Sequence, residues 1–283
     1  MSKWLIALIV ILVLLAVAII IRGLNYELQL TRYYFQDARL KESFKIILIT
    51  DLHSSAYGKE QEDLLQKVRE AKPDLILMSG DIIDDRAPED LGYFTVEKLL
   101  EISPCYYVTG NHEFYKYKHE EIKEKLGKMG VEVLAGDFRQ LTVKNNSITI
   151  AGLDDPWQAA PYEKQLEKLK AERFVDLTLL LAHRPERLDD YARLDVDYVF
   201  SGHAHGGQWR FPGLLENGLY APHQGLLPQY TKGVHEFEKN NKEGEANRQI
   251  KLIVSRGLSK CSPFIFRLYN PPEIVEVNFS ALA

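Results

Sequence analysis

Short apolar runs, each ending in a turn that delivers a carboxylate, an imidazole or an amide, set the tightest limit on how this chain can fold. FKIILIT (44–50) runs into Asp51-Leu52-His53, and DLILMS (74–79) into Gly80-Asp81-Ile82-Ile83-Asp84. Tyr106–Thr109 runs into Gly110-Asn111-His112-Glu113, LTLLLA into His183, and DYVFS into Gly202-His203-Ala204-His205-Gly206. Runs this continuously apolar are strands covered on both faces, which calls for helices outside the sheets. Amphipathic helices are expected between them over Glu60–Ala71, stopped at Pro73, over Glu89–Glu101, and over His119–Met129, ended by Gly130. The second half adds strands at Ser147–Ala151, Leu177–Leu181, Tyr198–Ser201, Ile250–Val254 and Ile274–Phe279. The expected fold class is α/β: a four-layer α/β/β/α sandwich of two mixed sheets over residues 44–283, preceded by one N-terminal transmembrane helix.

Leu5 to Ile21 is seventeen consecutive apolar residues, with Arg22 after it. At about 1.5 Å per residue the helix is about 26 Å long, close to the hydrocarbon thickness of a bilayer. The rival, a cleaved signal peptide, has a shorter apolar core of roughly 7–15 residues and a small-residue cleavage pattern. Here Arg-Gly-Leu-Asn-Tyr-Glu follows instead. Residues 1–22 are therefore expected as a single-pass anchor in the cell membrane and 23–43 as a connector. Lys3 on one side against Arg22, Arg32, Arg39 and Lys41 on the other leaves open which side of the membrane the folded domain faces.

Composition bounds the rest. The chain has 283 residues, 46% apolar and 27% charged, the balance of a folded globule. A net charge of −5 without a basic run argues against nucleic acid as a partner. Cys105 and Cys261 are too few for a disulfide framework or a zinc cluster and are expected as buried apolar thiols. Residues 209–249 lack a sustained period and contain Pro212, Pro222 and Pro228, so they read as a long insertion with a surface tip near 239–247.

In an open α/β sheet, ligands gather outside the carboxyl ends of the strands. Residues just past those ends therefore share a crevice, and carboxylate, imidazole and amide donors together suit divalent metals. Each block alone also fits an ordinary turn, since Gly and Asn are turn formers. Five such blocks in order, each at a strand end, favour a metal site.

The series D-x-H, G-D-x-x-D, G-N-H-E, a later His, then G-H-x-H resembles the calcineurin-like metallophosphoesterase superfamily, strongly over residues 44–209. The resemblance implies one divalent ion held by Asp51, His53, Asp81 and His205 and a second held by Asp81, Asn111, His183 and His203. Mn, Fe, Zn or Co all fit such a donor set. It further implies that His112 protonates the leaving oxygen or stabilises developing charge, with Asp84 orienting its ring. Glu113 is expected to support the site from behind, and Asp154-Asp155 to cap a turn. His119 and His235 are expected at a helix surface and a loop surface, while His223, in the insertion, is a weaker candidate for substrate contact.

The stretch Gly206–Gly213 with the anchor in front is similar to the membrane-anchored bacterial branch, which includes UDP-2,3-diacylglucosamine pyrophosphatase-type enzymes. That resemblance implies a phosphodiester or pyrophosphate substrate, lipid-linked, with the insertion's Trp209, Phe211, Leu214, Leu215, Leu219, Tyr220, Leu226, Leu227 and Tyr230 as a lipid-facing wall. These side chains equally suit a core. Arg210, Lys232 and Arg256 are weaker candidates to meet substrate phosphate. Two other readings stay open: a broad phosphatase or phosphodiesterase merely localised by its anchor, and a non-catalytic binding module on the same fold. Oligomeric state is not legible.

Overall fold

A computed structural model describes residues 2–115, 117–239, 248–262 and 265–282, with the side chains of 261, 262 and 265 outside that description. The first half contains α1 (Lys3–Gly23), β1 (Gln29–Asp37), β2 (Phe44–Ile49), α2 (Glu62–Ala71), β3 (Leu75–Ser79), α3 (Asp90–Leu100), β4 (Cys105–Val108), α4 (Asn111–Phe114), α5 (His119–Met129) and β5 (Glu132–Val133). There follow β6 (Asp137–Val143), β7 (Asn146–Leu153), α6 (Ala159–Ala171), β8 (Leu177–Ala182), α7 (Leu188–Tyr191) and β9 (Tyr198–Ser201). The remainder holds β10 (Tyr220–Ala221), β11 (Gly225–Leu226), β12 (Gly233–Glu238), β13 (Gln249–Val254), β14 (Cys261–Ser262), β15 (Ile265–Phe266) and β16 (Glu273–Ala281).

One sheet runs β1-β16-β2-β3-β4-β5 and the other β12-β13-β9-β8-β7-β6. Both are mixed: β2, β3, β4 and β5 are parallel while β16 is antiparallel to β2, and β7, β8, β9 and β13 are parallel between antiparallel β6 and β12. Alternation along β2 shows why its run is apolar throughout. Ile46 and Leu48 face the layer between the sheets, with Leu77 and Val108 beside them and Ile150, Leu179, Leu181 and Phe200 opposite. Ile47 and Ile49 face outward onto Leu64, Val68 and Val96 of α2 and α3. On the far side α6 closes the second sheet with Tyr162, Leu166 and Leu169. The α/β/β/α sandwich is thus present.

Several expectations need correction. Residues 23–43 are not only a connector, because β1 extends the first sheet as an edge strand parallel to β16. Its alternating half-exposed pattern, unlike a buried strand's continuous one, hid it. The insertion contributes β12, paired antiparallel with β13, and a short β10–β11 ribbon. His235 therefore lies on a strand, half-buried, rather than in a surface loop. His119 begins α5 but stacks on Phe114 with ring centroids 4.1 Å apart, so it is not a bare surface residue. Cys105 is buried as expected, whereas the Cys261 side chain and the 240–247 tip lie outside the described residues.

The helix α1 is long and apolar enough to cross a membrane, and its window is wholly exposed. Its C-terminal end meets the domain: Tyr269 donates its backbone N–H to the Gly23 carbonyl (2.7 Å) and its hydroxyl to the Ile19 carbonyl (2.7 Å).

Candidate metal centre

All seven expected ligands and His112 are buried at the carboxyl ends of β2, β3, β4, β8 and β9, where the two sheets meet. The edges are pinned together by Ser79, whose hydroxyl donates to the Phe200 carbonyl (2.7 Å). Asp51 accepts the backbone N–H of His203 at 2.9 and 3.1 Å. Such convergence strains the backbone. Asp51, His53, Asp81, His203 and His205, five of the seven, have φ between 46° and 65°, a region that side-chain-bearing residues rarely occupy. Strain of this kind persists only where the surroundings over-determine it, and it clusters at functional sites. Gly80 answers the same demand: its φ is +82°, and a Cβ there would press on the Gly110 backbone and the His183 ring.

Asp81 is the pivot. Its Oδ1 accepts the His112 N–H (2.9 Å), while Oδ2 lies 3.5 Å from His53 Nε2 and 3.3 Å from His183 Nε2. The other nitrogen of each ring is already committed. His183 Nδ1 donates to the Ser79 carbonyl (2.7 Å), and His53 Nδ1 to Asp84 Oδ1 (3.2 Å). In the neutral rings both Nε2 lone pairs therefore point at a carboxylate oxygen, which is repulsive unless a proton or a cation lies between them. Burial works against charge on His183, yet Asp81 and Asp51 push it up to about 10. For Asp81, burial is likewise overruled: His183, His112 and His53 hold it well below the usual carboxylate range. Asp51, by contrast, is pushed up by burial, and His203 and His205 are pushed well below the usual imidazole value by the same cause.

Three buried ligand atoms have no hydrogen-bond partner and fit cations. Asn111 donates Nδ2 to the Tyr115 hydroxyl (2.8 Å), which leaves its buried Oδ1 without a hydrogen-bond partner. His53 Nε2 and His205 Nδ1 are buried and equally unpartnered. Orphaned buried donor-set atoms are costly unless something satisfies them. Asp51, His53 and His205 bring ligand atoms within 4.8 Å of one another, as do Asp81, His183 and His203. These two triads fall within the two expected ligand sets, with Asp81 between them.

Behind the ligands, Glu113 accepts four backbone N–H groups, those of Asp81 (3.0 Å), Ile82 (2.8 Å), Ile83 (3.1 Å) and Gly110 (2.8 Å), stapling the β3 and β4 loops together. Burial and Asp81 push its carboxyl up to about 7 against that cradle. Asp155 does cap, accepting the Trp157 N–H (2.9 Å), whereas Asp154 accepts from side chains, the Thr109 hydroxyl (2.7 Å), Gln165 Nε2 (2.9 Å) and Lys123 Nζ (3.0 Å). Asp155 also grips Arg184 with two 2.7 Å bonds, a buried pair beside His183 that sequence reading did not find.

His112 faces a cavity of about 290 Å³ lined by His53, Ser55, Asp84, Arg86, Ser259 and Lys260. Its ring differs from expectation in its partner. Nδ1 lies 2.5 Å from Asp85 Oδ1 but 3.3 Å from Asp84 Oδ1, while Asp84 sits nearer His53. Asp85 directly follows Asp84, and which of the two carboxylates turns toward His112 is set by the course of the loop. Of the candidate phosphate contacts, Arg256 is committed to Glu273 (2.7 Å), and Arg210 and Lys232 share Glu216 at 3.7 and 3.6 Å. The insertion's apolar residues divide: Leu214, Tyr220, Leu226 and Leu227 are exposed, whereas Trp209, Phe211, Leu215, Leu219 and Tyr230 are partly buried. His223, a weak candidate in sequence, reaches His203, with Nδ1 2.8 Å from His203 Nε2.

Comparison with known proteins agrees with this geometry. Residues 44–207 match the model of the family described as calcineurin-like phosphoesterase. An uncharacterized metallophosphoesterase of Campylobacter jejuni is 30% identical over 94% of this chain and 68% of its own length. One from Aquifex aeolicus is 30% identical over 90% of this chain and 92% of its own. The phosphodiesterase YaeI of Escherichia coli is 28% identical, covering 69% of this chain and 71% of that protein. With the family model spanning more than half of the chain, this protein belongs to the calcineurin-like phosphoesterase family, and it is a metal-dependent phosphoester hydrolase.

Proposed function

We propose that the chain hydrolyses a phosphodiester or pyrophosphate bond with two divalent cations, on a lipid-linked substrate such as a UDP-diacylglucosamine, while anchored in the cell membrane by α1. The carrying observation is Asp81 Oδ2, which faces His53 Nε2 at 3.5 Å and His183 Nε2 at 3.3 Å and so serves both halves of the centre. Asp51, His53, Asp81 and His205 hold one ion; Asp81, Asn111, His183 and His203 hold the other. When bound, such ions supply charge to the phosphoryl oxygens and make a coordinated water more acidic.

The chain's own residues do the rest. His112, with Nδ1 committed to Asp85, keeps Nε2 to deliver a proton to the leaving oxygen as its bond to phosphorus breaks. Asp84 bridges His53 and His112 and fixes their relative orientation. Arg86 and Lys260 on the cavity wall suit the second anionic group that a diester or anhydride brings and a monoester lacks. The exposed helix α1, tied to the insertion side through Tyr269, and the exposed Leu214, Leu226 and Leu227 support a substrate presented at a bilayer.

Elemental analysis of wild-type protein and Asp81→Asn tests the centre. Two ions per wild-type chain and loss of most of both in the variant are expected. Unchanged metal content in Asp81→Asn refutes the shared-ligand reading. Faster turnover of bis-p-nitrophenyl phosphate than of p-nitrophenyl phosphate, with manganese added, is expected of a diester site; the reverse order favours a monoesterase.

A further inference from the structure

His203 is buried, and its two ring nitrogens face different worlds. Nδ1 lies 3.1 Å from His183 Nε2, inside the triad with Asp81. Nε2 points the other way and lies 2.8 Å from Nδ1 of His223, with the two rings stacked at a centroid distance of 5.0 Å. A histidine that ligates a cation through one nitrogen must carry its proton on the other, and a partner for that N–H fixes both tautomer and ring orientation. For His183 the partner is the Ser79 carbonyl, and for His53 it is Asp84. Among the described contacts of His203 Nε2, the partner is His223.

His223 does not belong to the sheet ends. It sits at φ 60° in the turn joining β10 and β11, a ribbon whose pairing is Tyr220 with Leu226 and Ala221 with Gly225. That ribbon is bound to the loop carrying the ligands: Leu219 donates its N–H to the Gly207 carbonyl at 2.9 Å, two residues past His205. Gln224, next to His223, holds the turn by donating to the Tyr230 carbonyl (2.8 Å) and accepting the Gln229 and Tyr230 N–H groups.

We infer that His223 is a positioning residue: it accepts the Nε2–H of His203, turns Nδ1 of that ring toward the second cation, and so makes the insertion part of that cation's site. This rests on the two-cation reading above. Neutral His223 needs only a lone pair for the task, so an amide oxygen at the same reach should replace it.

The test is manganese binding by metal-stripped full-length protein in detergent, followed by calorimetry and by elemental analysis at limiting metal. His223→Ala should weaken one of two ions by about 10–100-fold, as loss of such a partner does, and leave the other unchanged. At limiting manganese its content should fall from two ions toward one. His223→Asn, whose Oδ1 stands at the reach of Nδ1, should restore most of the lost affinity, which a purely space-filling role would not predict. Equal affinities in wild type and His223→Ala overturn the inference, and so does failure of the asparagine to rescue. Loss of a third ion also overturns it, because Glu186, His203 and His223 themselves place ligand atoms within 4.8 Å and would then be a cation site. Wild-type protein that takes up fewer than two ions refutes the two-cation reading itself, and this inference with it.

Discussion

At the scale of single residues, two side chains separate chemistry from architecture. His112 lies outside both expected ligand sets; its backbone N–H is held by Asp81 and its Nδ1 by Asp85. His112→Asn should therefore retain both ions while kcat falls by about 10²–10⁴-fold, the usual worth of a general acid. Metal content measured alongside steady-state rates checks this, and loss of metal with the rate would reassign the residue. Glu113 is the converse case. Glu113→Ala strands four buried backbone N–H groups, each costing about 1–3 kcal/mol when unsatisfied, although relaxation and water entry make the sum non-additive. We expect about 3 kcal/mol or more of destabilisation in urea unfolding and a simultaneous loss of metal; a variant as stable as wild type would show that the cradle is dispensable. The motif around Asn111 announced a site, but not that Glu113 supports it by binding backbone.

At the scale of elements, ends matter more than middles. Strands β2, β3 and β4 and helices α2, α3 and α5 were legible because their apolar residues form continuous buried runs or follow a period of 3.6. Strands β1 and β12 were not, since each is half-exposed and edge-placed, so their patterns look like polar loops. Element ends also carry a titratable clip. Asp195, after α7, accepts the Phe174 N–H (3.2 Å) and Nζ of Lys239 (2.6 Å) and lies 3.0 Å from Arg248. Burial opposes its charge, but Lys239, the Phe174 N–H and Arg248 together hold its pKa below the ordinary value. A depressed carboxylate stabilises the fold above its unfolded pKa, about 3.9, and that contribution disappears as pH falls through the folded value. Wild-type protein should therefore exceed Asp195→Asn in urea midpoint at pH 7, and the gap should begin to narrow as pH falls below about 4. A gap that stays the same from pH 7 down to the lowest pH at which both proteins fold would assign the effect to packing.

For the whole molecule, stability rests on the layer between the sheets. Phe279 of β16 stacks on Phe44 at 5.0 Å and meets Tyr198 of the opposite sheet edge-on at 4.9 Å. Replacing it with alanine should cost about 3–5 kcal/mol, the range for a large aromatic removed from a core. Denaturant titration checks this, and a cost under about 1 kcal/mol would mean that the sheets close over the gap. The same packing matters to the site, because the ligand-bearing strand ends belong to both sheets and move with them.

Sequence by itself determined the alternation of β2, β3 and β4 with α2, α3 and α5, the apolar segment of α1, and the residue types gathered at the strand ends. Those follow from local periodicity and donor chemistry, both of which are written along the chain. Only the tertiary structure decided that Asp85 rather than Asp84 is nearest His112, that Arg184 is held by Asp155, and that His223 reaches back to His203. Each depends on loops whose course is set by contacts distant in sequence, and no local pattern encodes which way a loop side chain turns.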